Sequence, residues 1–229
     1  MSTIAANLQA IGRRISEALQ GDSRGVTLVA VSKGKPPAAI REAYEAGCRD
    51  FGESYVQEAL PKMKELEDLD ATWHFIGHLQ GNKARDVAER FDWVHGVDRA
   101  KMAAALSRHR PEARGALQVL LQVNISGEAT KGGVPPPEAA PLAREIAAMP
   151  RLRLRGLMGM ASPTQDTDRA RREFALLSRT RDELAAQGLP LDTLSMGMSG
   201  DFEAAIAEGS TMVRIGTSIF GERSRARAA

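Results

Sequence analysis

Eight short apolar runs, most of them rich in β-branched residues, alternate with longer amphipathic stretches along this chain. The runs fall at 26–33, 50–53, 72–77, 93–97, 117–124, 154–160, 194–198 and 212–216. Between them, at 36–46, 55–67, 81–90, 99–108, 137–149, 168–187 and 201–207, apolar residues recur at helical spacing. An earlier stretch carries Leu8, Ile11, Ile15 and Leu19 on one helical face. Strands that alternate with helices predict parallel βαβ units. Two architectures satisfy that pattern: a closed (β/α)8 barrel and an open doubly wound sheet. The open sheet places a G-x-G-x-x-G turn after its first strand. Here the first run ends Val31-Ser32-Lys33-Gly34-Lys35-Pro36, without that fingerprint. The sequence therefore predicts an α/β chain of the (β/α)8, or TIM barrel, class. Its 229 residues suit one barrel, and no shift of composition marks a boundary. A single domain over 1–229 is expected, ending in a short disordered tail at 224–229.

Charge and composition narrow the partners. The 31 basic and 29 acidic side chains leave a net charge of +2, part of it in Arg223, Arg225 and Arg227. Aromatic residues make up 4% and are not interleaved with Lys or Arg, so no surface for nucleic acid is expected. No apolar run is long enough to span a bilayer, and Met1-Ser2-Thr3-Ile4 does not open a secretory leader. Cys48 is the one cysteine, expected as a small buried side chain in a turn, and no Cys/His set has zinc spacing. These features predict a cytoplasmic monomer with no nucleic acid, membrane or metal partner.

In a barrel the chemistry sits at the C-terminal ends of the strands. Lys33 closes the first run there. A partly desolvated amine attacks aldehydes more readily, although a rim lysine with a snorkelling stem fits the same position. Ser199-Gly200-Asp201 follows the seventh run, and Gly216-Thr217-Ser218 follows the eighth. Both can open a helix, offering backbone N–H groups, hydroxyls and glycines to a phosphate, the site that barrels often build from these two loops. An amine facing a phosphate site suits an aldehyde with a phosphate tail, which describes pyridoxal 5'-phosphate (PLP). Arg214 lies inside the eighth run, where a charge needs a partner. That partner is either a structural ion pair or the pyridine nitrogen of PLP. The methionines at 158, 160, 196 and 198 alternate along two runs and are expected to fill the barrel.

Six segments then fall in order at matching distances. They include Ala30-Val31-Ser32-Lys33, Phe51-Gly52-Glu53-Ser54-Tyr55, Trp73-His74-Phe75-Ile76-Gly77 and Leu152-Arg153-Leu154-Arg155-Gly156-Leu157-Met158. The last two are Leu194-Ser195-Met196-Gly197-Met198-Ser199 and Val213-Arg214-Ile215-Gly216-Thr217-Ser218-Ile219-Phe220-Gly221. In these the chain resembles the pyridoxal phosphate homeostasis protein family, whose fold is the alanine racemase N-terminal-domain-like barrel. The resemblance implies that Lys33 forms a Schiff base with PLP and that Ser199, Gly200, Gly216 and Thr217 bind its phosphate. It also implies that Arg214 faces the pyridine nitrogen and that Asn124 and Met160 stand beside the cofactor. Family members commonly carry Asn where this chain has Ser54, and often Ser where it has Gly81, so Ser54 offers the cofactor side a hydroxyl on a shorter side chain.

The resemblance implies a PLP carrier or regulator without established turnover, with PLP-dependent apoenzymes as possible recipients. The alternative is a small PLP-dependent amino-acid racemase, which needs a second acid/base group opposite Lys33. Only Tyr44 and Tyr55 are available as tyrosines. Tyr44 falls in a helix on the wrong layer, and Tyr55 follows the second run at the rim. No added β-domain is expected after the barrel.

Overall fold

The computed structural model describes residues 3–128, 130–164 and 166–222. The tail expected at 224–229 lies outside the described residues. Helix α1 (Ile4–Leu19) precedes the barrel, capped by the Thr3 side chain on the Ala6 amide. The order is then β1 (Thr27–Val31), α2 (Pro37–Glu45), β2 (Asp50–Glu53), α3 (Val56–Glu65), β3 (Thr72–Phe75), α4 (Ala84–Arg90), β4 (Trp93–Val97) and α5 (Ala100–His109). The second half runs β5 (Leu117–Gln122), α6 (Ala139–Ala147), β6 (Leu152–Met158), α7 (Thr167–Ala186), β7 (Thr193–Ser195), α8 (Phe202–Ala207), β8 (Met212–Ile215) and α9 (Thr217–Phe220).

The eight strands form one closed parallel barrel in sequence order. Closure rests on β8 pairing with β1, with Thr27 opposite Met212 and Val29 opposite Arg214. That pair excludes the open sheet. It also puts the ends of β7, β8, β1 and β2 side by side around one rim.

Strand alternation sorts the side chains into two layers. Ala30, Phe51, Phe75, Val94, Leu157 and Val213 face outward and pack with the helices in one core. The inward phase is unusual. Its apolar members Val29, Leu120, Met158 and Met212 share the barrel interior with His74, His95, Gln122, Ser195 and Arg214, all of them buried. Of the four methionines expected there, Met158 fills the barrel. Met196 belongs instead to the outer core, and Met198 is 40% exposed. Cys48 is buried, and burial pushes its thiol up to about 11.

Several boundaries differ from the periodicity. The first strand stops at Val31, two residues before Lys33. Ser32 still donates its amide to Gly52 (2.9 Å), but Lys35 N–H then bonds the Ser32 carbonyl and Gly34 takes φ +71°. This turn ends the ladder although the side-chain pattern continues. β7 stops at Ser195 because Gly197 adopts φ +96°. No helix among the described residues is long and apolar enough to cross a membrane.

Candidate functional site

Lys33 stands in the β1–α2 turn, partly buried. It lines a cleft of about 410 Å³ with Ser54, Tyr55, Gly77, His78 and Gln80. Gly77 is required there, because a Cβ at that position would overlap the Ser54 backbone carbonyl. Tyr55 is 59% exposed, open to the same cleft as Lys33.

A buried ionic group holds the backbone on both sides of Lys33. Lys62, from α3, donates from Nζ to the Ser32 carbonyl (3.0 Å), to Glu53 Oε1 (2.8 Å) and to Glu58 Oε1 (2.5 Å). Ser32 Oγ donates to Glu53 Oε1 (2.7 Å), and the Gly34 amide donates to Glu58 Oε1. Burial raises the Glu53 carboxyl above its ordinary value against the opposing pull of Lys62 and Ser32. Its Oε2 is buried and has no hydrogen-bond partner among the described residues. Sequence reasoning misses Lys62, which reads there as one of several helix lysines.

The expected phosphate residues lie on the two neighbouring loops and do not line the Lys33 cleft. Ser199 is half-buried, and Gly200 and Thr217 are exposed. Asp201 Oδ1 accepts the Met198 amide (2.6 Å), which leaves Ser199 and Gly200 at the crest of the turn. No acceptor among the described residues takes the amides of Ser199, Gly200, Thr217 or Ser218. A Cβ on Gly200 would meet nothing within 4 Å, whereas one on Gly216 would press on Val31. Open space before unused amides suits a phosphate.

Arg214 is 5% exposed, and burial lowers its guanidinium to about 10, so it stays charged at neutral pH. Among the described residues it forms no ion pair. Its Nη1 donates to the Ser195 carbonyl (2.7 Å) and Ser195 Oγ (2.6 Å), and its Nη2 to the Gly159 carbonyl (3.2 Å). Asn124 spends its side chain on its own loop, donating to the Glu128 and Lys131 carbonyls and accepting from Gly127 and Ser126. Met160 is partly buried, one residue past Gly159.

Two other lysines near the mouth are held. Lys35 Nζ donates to the carbonyls of Phe220, Gly221 and Glu222 at 3.0, 2.9 and 2.7 Å, closing the C-terminal end of α9. Lys131 Nζ donates to the Ala161 carbonyl (2.9 Å) and pairs with Glu128 (3.1 Å).

The profile of the family described as "Alanine racemase, N-terminal domain" matches residues 2–224. The chain is 54% identical over 226 residues to the pyridoxal phosphate homeostasis protein of Pseudomonas aeruginosa, covering 97% of each chain. It is 48% identical over 229 residues to the protein of the same name from Escherichia coli K12, covering 97% of this chain and 98% of that one. The chain belongs to the pyridoxal phosphate homeostasis protein family. Among solved structures, PipY of Synechococcus elongatus without PLP superposes with a TM-score of 0.87 at 40% identity, covering 96% of this chain and all of PipY. PipY with PLP bound superposes at 0.81, covering 92% and 100%. Alanine racemase of Clostridium difficile, at 15% identity and a TM-score of 0.72, shares the fold and extends well beyond it, since 56% of that chain is covered. The pyridoxal phosphate homeostasis family and the alanine racemase-like barrel expected from the six segments are thus both found.

Proposed function

We propose that this chain binds PLP at the barrel mouth, holds it covalently through Lys33, and serves in intracellular PLP homeostasis as a carrier. The observation that carries this reading is the order of the strand ends. The amine of Lys33 follows β1, and the unused amides of the β7 and β8 loops follow the neighbouring strands on the same rim. PLP supplies an aldehyde and a phosphate, the two groups that such a rim receives. Lys33 Nζ would attack the aldehyde carbon and form a C=N bond as water leaves. Ser199, Gly200, Gly216 and Thr217 would receive the phosphate. Arg214, a donor that keeps its proton at neutral pH, would leave a pyridine nitrogen unprotonated. Ser54 would flank the ring. Met160 would pack beside the Gly159 carbonyl that holds Arg214, and Asn124 would shape the β5–α6 loop.

The family name of the relatives and the PLP-bound PipY support the reading. A ring without a protonated nitrogen is a weak electron sink, which suits holding and release better than turnover. We place the chain in the cytoplasm as a monomer, with PLP-dependent apoenzymes as recipients. The test is borohydride reduction after stoichiometric PLP, followed by peptide mapping. The reduced adduct is expected on Lys33. An adduct confined to Lys35 or Lys131, or no visible band at all, would overturn the assignment.

Tyr55 keeps the racemase reading alive, because it is exposed in the Lys33 cleft. Exchange of amino-acid α-hydrogen in heavy water separates the two readings: the racemase requires it and the carrier does not.

A further inference from the structure

Behind Arg214 the barrel interior contains an unbroken line of polar side chains. Ser195 Oγ lies 2.6 Å from Arg214 Nη1 and 3.0 Å from His95 Nδ1. His95 Nε2 lies 3.0 Å from His74 Nδ1, and His74 Nε2 lies 2.9 Å from Asp50 Oδ1. Ser195, His95 and His74 are fully buried. Asp50, the first residue of β2, is 27% exposed at its side chain and lines a surface cleft with Thr27, Leu28 and Arg49. The line therefore joins solvent near the strand N-termini to the guanidinium near the mouth.

Hydrogen-bond bookkeeping gives the line one direction. A guanidinium only donates, so Ser195 Oγ accepts from Arg214 and sends its own proton to His95 Nδ1. A neutral His95 then carries its proton on Nε2 and donates to His74 Nδ1. His74 in turn donates from Nε2 to the Asp50 carboxylate. Every donor and acceptor in the chain is used once. The reverse direction would have His95 Nδ1 donate to Ser195 Oγ and would strand the serine proton in the interior, where an unmet polar group is costly. Burial, together with the nearby charge of Arg214, holds His95 well below its ordinary pKa, in keeping with a neutral ring.

The charge of Arg214 has no carboxylate in ion-pair contact among the described residues. Its compensation comes from the more distant charge of Asp201, from two carbonyls and from Ser195 Oγ, whose acceptor strength is raised by the chain that runs on to Asp50. We propose that Asp50, His74 and His95 are positioning residues for Arg214, aligning the guanidinium through Ser195 from the far end of the barrel. The part that concerns PLP rests on the function proposed above; the part that concerns Arg214 does not.

His95 variants risk the core, so the decisive substitution is Asp50→Asn, isosteric and partly exposed. In the unliganded ¹⁵N-labelled protein at neutral pH, imidazole spectra are expected to show His95 and His74 both protonated on Nε2. Asp50→Asn is expected to move the Arg214 guanidinium resonances together with those of both histidines. It should also raise the PLP dissociation constant about tenfold, the effect of one charge-assisted hydrogen bond. A His95 protonated on Nδ1, or Arg214 resonances unmoved by Asp50→Asn, would overturn the proposal. A column that serves stability alone would lower the melting temperature and leave the Arg214 resonances in place. If the wild type takes up no PLP, the functional reading fails and the unliganded spectra still decide the column.

Discussion

Lys62 Nζ and Glu53 Oε1 form a buried ion pair at 2.8 Å directly beneath the turn that carries Lys33. The side chains are 7% and 0% exposed, so neither charge has water to fall back on. Lys62→Met would strand the Glu53 carboxylate and free the Ser32 carbonyl. A broken buried pair costs about 3–5 kcal/mol. Urea unfolding is expected to show a loss in that range, and Lys62→Met combined with Glu53→Gln should recover most of it. The single variant should also take up PLP more slowly, because the Lys33 turn loses its clamp. A loss below about 1 kcal/mol would mean that the pair is neutral in this fold.

Two glycines separate stability from ligand binding. A Cβ on Gly156 would overlap the Thr193 carbonyl between β6 and β7, whereas one on Gly200 meets nothing. Gly156→Ala is expected to cost more than about 3 kcal/mol, since backbone must move. Gly200→Ala should leave the melting temperature within about a degree and weaken PLP binding, because its methyl group would fill space before the loop amides. Equal PLP affinity in Gly200→Ala would remove that loop from the phosphate site.

The pH dependence of stability follows from His95. Its folded pKa is depressed well below 6.5 by burial, and the unfolded imidazole takes its proton near 6.5. Below that pH the unfolded state binds more protons, so the stabilisation is complete above 6.5 and declines as pH falls. The slope is about 1.4 kcal/mol per pH unit for one such group. Glu53, shifted upward from 4.5, acts in the opposite sense, with stability lost as pH rises through its folded value. The difference between wild type and His95→Gln cancels the Glu53 contribution. That difference should narrow from pH 6.5 to pH 5; a constant difference would contradict a neutral His95.

Lys35 ties the β1–α2 turn to the end of α9 through three carbonyls. Lys35→Met is expected to cost about 1 kcal/mol, or about 2–4 °C in Tm for a chain of this size. Hydrogen exchange at Ile219, Phe220 and Gly221 should quicken more than in β8. Exchange that rises evenly across the barrel would instead mean a global loss.

Much of the barrel could be read in advance because the signals are local. Strand runs declare themselves by β-branched residues, helices by their apolar stripe, and the absent G-x-G-x-x-G removes the open sheet as a candidate. Lys33, Ser54, Ser199, Gly200, Gly216 and Thr217 were placed on one rim by that same logic, since strand ends follow from strand order. The partners of Arg214 were beyond its reach. Ser195 is 19 residues away and Gly159 is 55, and only closure of β8 on β1 puts Arg214 inside a cylinder with them. One signal was available: His74, His95 and Ser195 lie in the opposite phase to Phe75, Val94 and Leu194 on their strands, which marks a polar interior.

Asn124 shows the limit from the other side. Its position after β5 was legible, but its amide and carbonyl are used by Glu128, Lys131, Gly127 and Ser126. The sequence alone determined the strand and helix order, the barrel class and the family, because periodicity and motif spacing reside in neighbouring residues. The tertiary structure alone decided where β1 and β7 stop, which lysine braces the Lys33 turn, and what holds Arg214. Those depend on ladder closure and on bonds between side chains brought together across the barrel, and no local pattern encodes them.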